Sequence, residues 1–301
     1  MNIAIAVDLS VESHFAVRWA LDLRARAREH DRTVKCYAVV ITSSPAPYRY
    51  HNLGFPEATD IPDIRHRLVH QVRNFLETVN QDVDDVEVVV EEGEPAESIA
   101  AFCSRKKIDW LITGMSSVGP FARLFLGSTV HDLIDLVPTK LVIVHPEHCR
   151  LEPPLDFAIG VDFLPGSEAA LFTAADLTDV SGAHLHLVHA LQDAPTGTVH
   201  GGLVSYLAPT DVAHLTADAR NSLEAMMSEL ERQHPGINYS ILVHSGAPKK
   251  VILDFIERQN IDAVFLGRIL RSTFEKWTLG SVARSLVKRM PTTMLLVPPE
   301  A

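Results

Sequence analysis

Short apolar runs alternate along the chain with longer stretches whose apolar residues recur every three or four positions. A short apolar run fits a buried strand, and the longer spacing fits one face of a helix. In the first half, strands are predicted at Ile3–Val7, Lys35–Ile41, Glu87–Glu91, Trp110–Thr113 and Leu141–Val144. The intervening helices are predicted over Glu12–Glu29, Ile64–Val79, Ala96–Arg105 and Thr129–Leu136. Pro95, and later Pro248, falls in a first helical turn, where a missing N–H does no harm. Strands alternating with helices specify a parallel sheet with helices on both faces, and the ligand crevice of such a sheet lies beyond the carboxyl ends of its strands.

The order then starts again. "IAIAVDLSVESHFAVRWALDL" near the start parallels "DFAIGVDFLPGSEAALFTAADL" from Asp156, setting Asp8 against Asp162. "EEGEPAESIAAFCSRKKIDWLITG" parallels "HSGAPKKVILDFIERQNIDAVFLG", which sets Gly93 against Gly246, Asp109 against Asp262 and Gly114 against Gly267. Gly127-Ser128 pairs with Gly280-Ser281 and "KLVIVHP" with "TMLLVPP", at an offset of about 153 residues throughout. An offset that long is a duplicated domain, not a short-period solenoid. The expected boundaries are a first domain over 1–148, a polar, Pro-bearing linker over 149–154 and a second domain over 155–301. Each domain has a long irregular stretch after its second strand, "TSSPAPYRYHNLGFPEATDIP" and "LQDAPTGTVHGGLVSYLAPTD", placed to overhang the crevice.

The strands ending in Asp8 and Asp162, the turns "GEPAESI" and "GAPKKVI", and the segments "GMSSVGPFARLFLGST" and "GRILRSTFEKWTLGSV" together resemble the universal stress protein family, twice over and in the right order. The chain is similar to its tandem members. The resemblance implies two Rossmann-like (adenine nucleotide alpha hydrolase-like) α/β domains, each a five-stranded parallel sheet of order 3-2-1-4-5 with helices on both faces. It also implies an intra-chain pseudo-dimer through the last strands, Leu141–Val144 against Met294–Val297, with a homodimer of the whole chain as a further level. The implied ligand is ATP or a related adenine nucleotide, with Mg²⁺ beside a triphosphate, in a stress sensor or regulator that is not an enzyme. Asp8 and Asp162 would contact the nucleoside, and the backbone at Ile41 and Ala190 the adenine. Gly114, Ser117, Gly127, Ser128 and Thr129 would hold phosphates, as would Gly267, Arg268, Gly280 and Ser281 in the second copy. The nucleotide-binding branch of the family carries Gly-x2-Gly-x9-Gly-Ser/Thr. Here the first and last glycines stand in both copies, while Ser117 and Leu270 replace the middle one.

Two physical readings of these residues stay open. Glycines let backbone amides approach phosphate oxygens, and a helix starting near Gly127 turns its amide donors and positive dipole end to the same spot. Ser116 and Gly119 would make up for the lost glycine in the first copy, and Arg268, Arg271 and Lys276 would add charge in the second. The competing reading needs no ligand. Gly114 and Gly267 then end a strand, Gly127-Ser128 and Gly280-Ser281 cap a helix, and Asp8 and Asp162 cap a strand-to-helix turn. On that reading the protein acts through protein–protein interaction, and its pockets are degenerate.

Composition narrows the classes further. Over 301 residues the formal net charge is -11, with acidic residues in both halves. That sign argues against nonspecific nucleic-acid binding, which neutralises phosphates with Lys and Arg. Cys36, Cys103 and Cys149, without a C-x-x-C pair, read as reduced thiols of a cytoplasmic protein. "MNIAIAVDLSVES" lacks the basic start of a signal peptide and no apolar run reaches bilayer length, so no membrane partner is expected. No H-E-x-x-H, G-x-x-x-x-G-K-[ST] or Ser-His-Asp order appears. "HPEHC", from His145, has metal-binding residue types but too few for a zinc site, so it reads as polar linker and no metal centre is expected. "HLHLVH" sets His184 and His186 on one strand face and His189 on the other. "RAREHDR", Arg26–Arg32 near Arg24, reads as a solvated helix end, and "MMSEL" at Met226 as a helix core face.

Overall fold

Ile3, Ala4 and Ile5 are wholly buried on a strand that pairs on both sides, which is why its apolar run has no alternation. This strand, β1 (Asn2–Ala6), leads into α1 (Val11–Glu29), β2 (Lys35–Thr42), α2 (Ile61–Val79) and β3 (Val86–Glu92). Next come α3 (Pro95–Lys106), β4 (Trp110–Gly114), the two-residue strands β5 (Ser116–Ser117) and β6 (Leu124–Phe125), α4 (Ser128–Leu136) and β7 (Lys140–Val144). The second copy repeats the order as β8 (Asp156–Gly160), α5 (Pro165–Ser181), β9 (His184–Leu191), α6 (Pro209–Gln233), β10 (Tyr239–Ser245) and α7 (Pro248–Gln259). It ends with β11 (Ala263–Arg271), β12 (Lys276–Leu279), α8 (Ser281–Arg289) and β13 (Thr293–Val297). The computed structural model describes residues 1–42, 61–117, 124–125, 127–192, 209–271, 276–289 and 291–299. Most of the two stretches expected to overhang the crevice, and Gly119, lie outside the described residues.

Two units divide the chain: Met1–Leu151 with Leu270–Thr278 and Thr293–Leu296, and Glu152–Ile269 with Leu279–Thr292 and Val297–Ala301. In the first unit the strands lie in the order β3-β2-β1-β4-β7, all parallel, which is the 3-2-1-4-5 arrangement. The same unit takes in residues 293–296, where Met294, Leu295 and Leu296 pair antiparallel with Ile143, Val142 and Leu141. In the second unit the parallel order is β10-β9-β8-β11. Observed bounds in the first copy follow those predicted closely; the largest departure is α2, which begins at Ile61.

Local sequence explains the ends of the elements. α3 and α7 begin with Pro95 and Pro248, and α5 with Pro165, as a first turn tolerates. α5 stops at Gly182, whose φ of 70° is the left-handed geometry that closes a helix. Leu223, Met227 and Leu230 form the buried stripe of α6, as expected of a core face.

The run Arg26–Arg32 closes α1 with Arg28 to Arg32 exposed, as expected, whereas Arg24, just before it, is among the largest fully buried side chains of the first unit. Its Nη1 donates to Asp85 Oδ1 at 2.5 Å, and its Nη2 to the carboxylate and carbonyl of Asp82. The alternation of charges around it hid a position facing inward.

Candidate functional site

The first-copy crevice begins where β1 runs out. Leu9 takes a left-handed φ of 62°, so the chain turns sharply after Asp8 and Ser10 caps α1. Asp8 holds this turn together. Its Oδ1 accepts from the Ser10 amide at 3.0 Å and from the hydroxyls of Ser10 and Ser13, each at 2.5 Å. Burial pushes the Asp8 carboxyl up, but the bonds from Ser10 and Ser13 outweigh it and hold it below the ordinary carboxylate value. Asp8 is therefore an anion at neutral pH, and Oδ2 takes no protein hydrogen bond among the described residues.

Opposite this turn, β4 ends at Gly114 and α4 begins after Gly127. A Cβ on Gly114 would lie 2.3 Å from the carbonyl oxygen of Glu12, so the strand end and the start of α1 leave room for glycine alone. Gly127 differs. Its φ of -62° and ψ of 155° suit any residue, and no side chain caps α4. Among the described residues, the amides of the first turn of α4 thus meet no side-chain acceptor, and the positive end of the helix dipole faces the same space.

These parts enclose one cavity of about 450 Å³. Asp8, Ile41, Gly114, Gly127, Ser128 and Thr129, all singled out in the sequence, line it together. Val7, Val39, Ile99 and Met115 supply apolar walls that sequence inspection did not pick out, because nothing separates them from ordinary core residues. The volume falls in the range of small-molecule sites. The ionisable side chains among the described lining residues are Asp8 and Glu12, both acidic. Ser117 sits in β5, its backbone paired with Leu124.

The second copy repeats the turn and alters its surroundings. Asp162 Oδ1 accepts from the Leu164 amide at 3.1 Å, and Phe163 has a φ of 59° where Leu9 has its own left-handed turn. Leu164 replaces the capping serine and leaves α5 without a side-chain cap. The Phe163 ring rests on His189 at 4.9 Å, and His189 Nδ1 lies 2.8 Å from the Val161 carbonyl oxygen. A Cβ on Gly267 would meet the Gly166 backbone at 2.3 Å, the same close approach as at Gly114. Arg268 is fully buried, and β11 continues as strand through Gly267 to Arg271, with β12 paired to it. Ala190 lies next to the end of β9, Gly280 stands between β12 and α8, and Ser281 opens α8. A Cβ on Gly280 would meet nothing nearer than Ile269 Cδ1 at 4.0 Å.

Two histidine groups lie away from the first-copy cavity. His186 lies 2.7 Å from Ser240 Oγ and 2.9 Å from Asp156 Oδ1, stacks near His184, and meets Phe255 of α7 edge-on, so it faces a helix. His145, Glu147 and His148 bring three ligand-type atoms within 4.8 Å of one another. A tetrahedral zinc site needs neighbouring donors about 3.3 Å apart. The turn also closes without an ion: His145 Nδ1 accepts from the Glu147 amide at 3.2 Å, and the Thr293 hydroxyl donates to the His148 carbonyl at 2.6 Å. His145 is buried, and burial together with the neighbouring His148 lowers its pKa.

The universal stress protein family matches this sequence twice, over residues 1–145 and 157–298. The chain belongs to the universal stress protein family. A universal stress protein of Mycolicibacterium smegmatis is 24% identical, over 99% of this chain and 97% of the relative. The crystal structure of a universal stress protein from Archaeoglobus fulgidus superposes with a TM-score of 0.68 at 18% identity, covering 99% of this chain and 98% of that one. A functionally unknown protein from Pseudomonas aeruginosa PAO1 gives a TM-score of 0.61 at 12% identity, over 99% and 92%. At such identities the solved structures show the shared α/β fold, here a tandem of two universal stress protein domains. No helix among the described residues is long and apolar enough to cross a membrane.

Proposed function

We propose that this universal stress protein binds ATP or a related adenine nucleotide in the first-copy crevice and acts as a cytoplasmic sensor or regulator rather than an enzyme. One observation carries the reading: a single cavity gathers Asp8, Ile41, Gly114, Gly127, Ser128 and Thr129. Apolar walls take the adenine, the Ile41 backbone borders it, and Asp8 Oδ2 accepts a ribose hydroxyl. The bare first turn of α4 receives phosphate through its amides. Antiparallel pairing of Met294–Leu296 with Leu141–Ile143 supports the further proposal that the last strands join the two copies.

The two carboxylates sharpen the proposal. A triphosphate beside Asp8 and Glu12 is repelled unless a cation lies between, and the Ser128 and Thr129 hydroxyls at the phosphate end are hard oxygens of the kind that suits Mg²⁺. Calorimetric titration should therefore show ATP binding that EDTA weakens about tenfold or more, while AMP binding changes little. Asp8→Ala should weaken both nucleotides, and Asp162→Ala neither. Absence of binding to the wild-type protein, with or without Mg²⁺, overturns the reading.

A second reading, protein–protein interaction with degenerate pockets, is favoured for the second copy. Its glycine segment is a strand through Gly267, and fully buried Arg268 lines neither of the two cavities described.

A further inference from the structure

A second cavity of about 450 Å³ lies in the second unit between β10 and α7, away from the Asp162 turn. Leu242 and His244, two apart on β10, share one strand face. Val251, Phe255 and Arg258 share one face of α7 through their three- and four-residue spacing. Leu242, Val251 and Phe255 give the cavity an apolar floor, and Lys250, Arg258 and His244 surround it.

The first copy shows what this place looks like when closed. Glu91 pairs in register with Ile41 as His244 does with Ala190, so the two positions correspond. There the Glu91 carboxylate accepts from Arg105, forming an ion pair between β3 and α3. The second copy keeps that arginine as Arg258 and the neighbouring Phe102 as Phe255. It replaces Glu91 with His244 and Glu97 with Lys250, and it adds Asp254 where the first copy has Ala101. Four corresponding positions thus change from a net charge of -1 (Glu91, Glu97, Ala101, Arg105) to +1 (His244 neutral, Lys250, Asp254, Arg258). The change runs against the -11 of the whole chain. Among the described residues, no ion pair or side-chain hydrogen bond engages Lys250 or Arg258.

We infer that this groove is a second ligand site, for a small organic monoanion with a carboxylate head and an apolar body. The head meets Arg258, whose forked donors suit a carboxylate, while Lys250 stands more than two turns away along α7, with Asp254 between them. The body covers Leu242, Val251 and Phe255. A single net positive charge matches one carboxylate better than a triphosphate, so this ligand differs from the nucleotide of the first copy.

The probe is 2-naphthoate, with 2-naphthylmethanol as its uncharged counterpart and acetate as the head alone. In ¹⁵N–¹H spectra of the full chain, 2-naphthoate should shift Gly246, Lys250 and Phe255 saturably, and the two controls should not. His244→Glu rebuilds the ion pair of the first copy with Arg258 and should weaken 2-naphthoate about tenfold. Since the first copy already folds with that pair, its melting temperature should not fall. Arg258→Gln should weaken binding similarly, and ATP binding should be unchanged in both variants. No saturable shift at about 10 mM probe, equal shifts from the alcohol, or binding indifferent to both substitutions overturns the site. Tighter binding of an acidic peptide to the same residues overturns the small-ligand reading in favour of a peptide groove.

Discussion

Arg24 brings a full charge into the interior of the first unit, and its two partners sit on the boundary. The arginine side chain is 2% exposed, against 42% for Asp85 and 76% for Asp82, so the desolvation falls on the guanidinium. Removing a partner leaves that cation enclosed with less compensation, whereas replacing the cation leaves carboxylates that water can serve. Asp85→Ala should therefore cost about 3 kcal/mol in urea denaturation, and Arg24→Met, which keeps the apolar stem, less than about 1 kcal/mol. Burial raises the Asp85 carboxyl, but the Arg28 hydrogen bond and the charges of Arg24 and Arg28 bring it below the ordinary value. A depressed carboxylate stabilises the fold above its unfolded pKa and loses that contribution as pH falls, so the penalty of Asp85→Ala should shrink below about pH 3.9. The sequence could not show this pair, because the partners lie about sixty residues apart and no local spacing joins them. Asp8 was legible for the opposite reason: its partners are two and five residues away, and serines after a strand-ending aspartate describe their own turn.

Between elements, β4 and α4 show two glycines kept for different reasons. At Gly114 the space belongs to the Glu12 backbone, which cannot step aside without moving the start of α1. Gly114→Ala should lower stability by about 1–3 kcal/mol and disturb the crevice with it. At Gly127 the backbone is ordinary, so Gly127→Ala should cost less than about 1 kcal/mol, while the added methyl stands at the phosphate end and weakens nucleotide binding. Thermal melts with and without nucleotide separate the two; equal destabilisation would deny Gly127 a ligand role. Strand and helix bounds were readable because buried parallel strands are apolar without alternation and prolines mark helix starts. The extension of β11 to Arg271 was not, since "GRILR" follows a glycine that looks like a strand end.

For the molecule as a whole, duplication was the most legible fact, because an offset near 153 residues aligns most of the strands. The units were less so: residues 270–278 and 293–296 group with the first unit, which no local pattern announces. The thiols report on the same packing. Burial pushes Cys36 and Cys103 up to about 12, and raises half-buried Cys149 as well. At pH 8 the native protein should react with one equivalent of a disulfide reagent at Cys149, and with the other two only on unfolding; three fast equivalents would contradict this packing. The main-chain contacts at Gly114 and Gly267 also bear on how relatives are read. Each copy must retain that residue merely to fold, so its persistence in a descendant is no vote for a visiting nucleotide. The discriminating letter is the later glycine ahead of the fourth helix, where selection alone, and not steric necessity, decides what is kept.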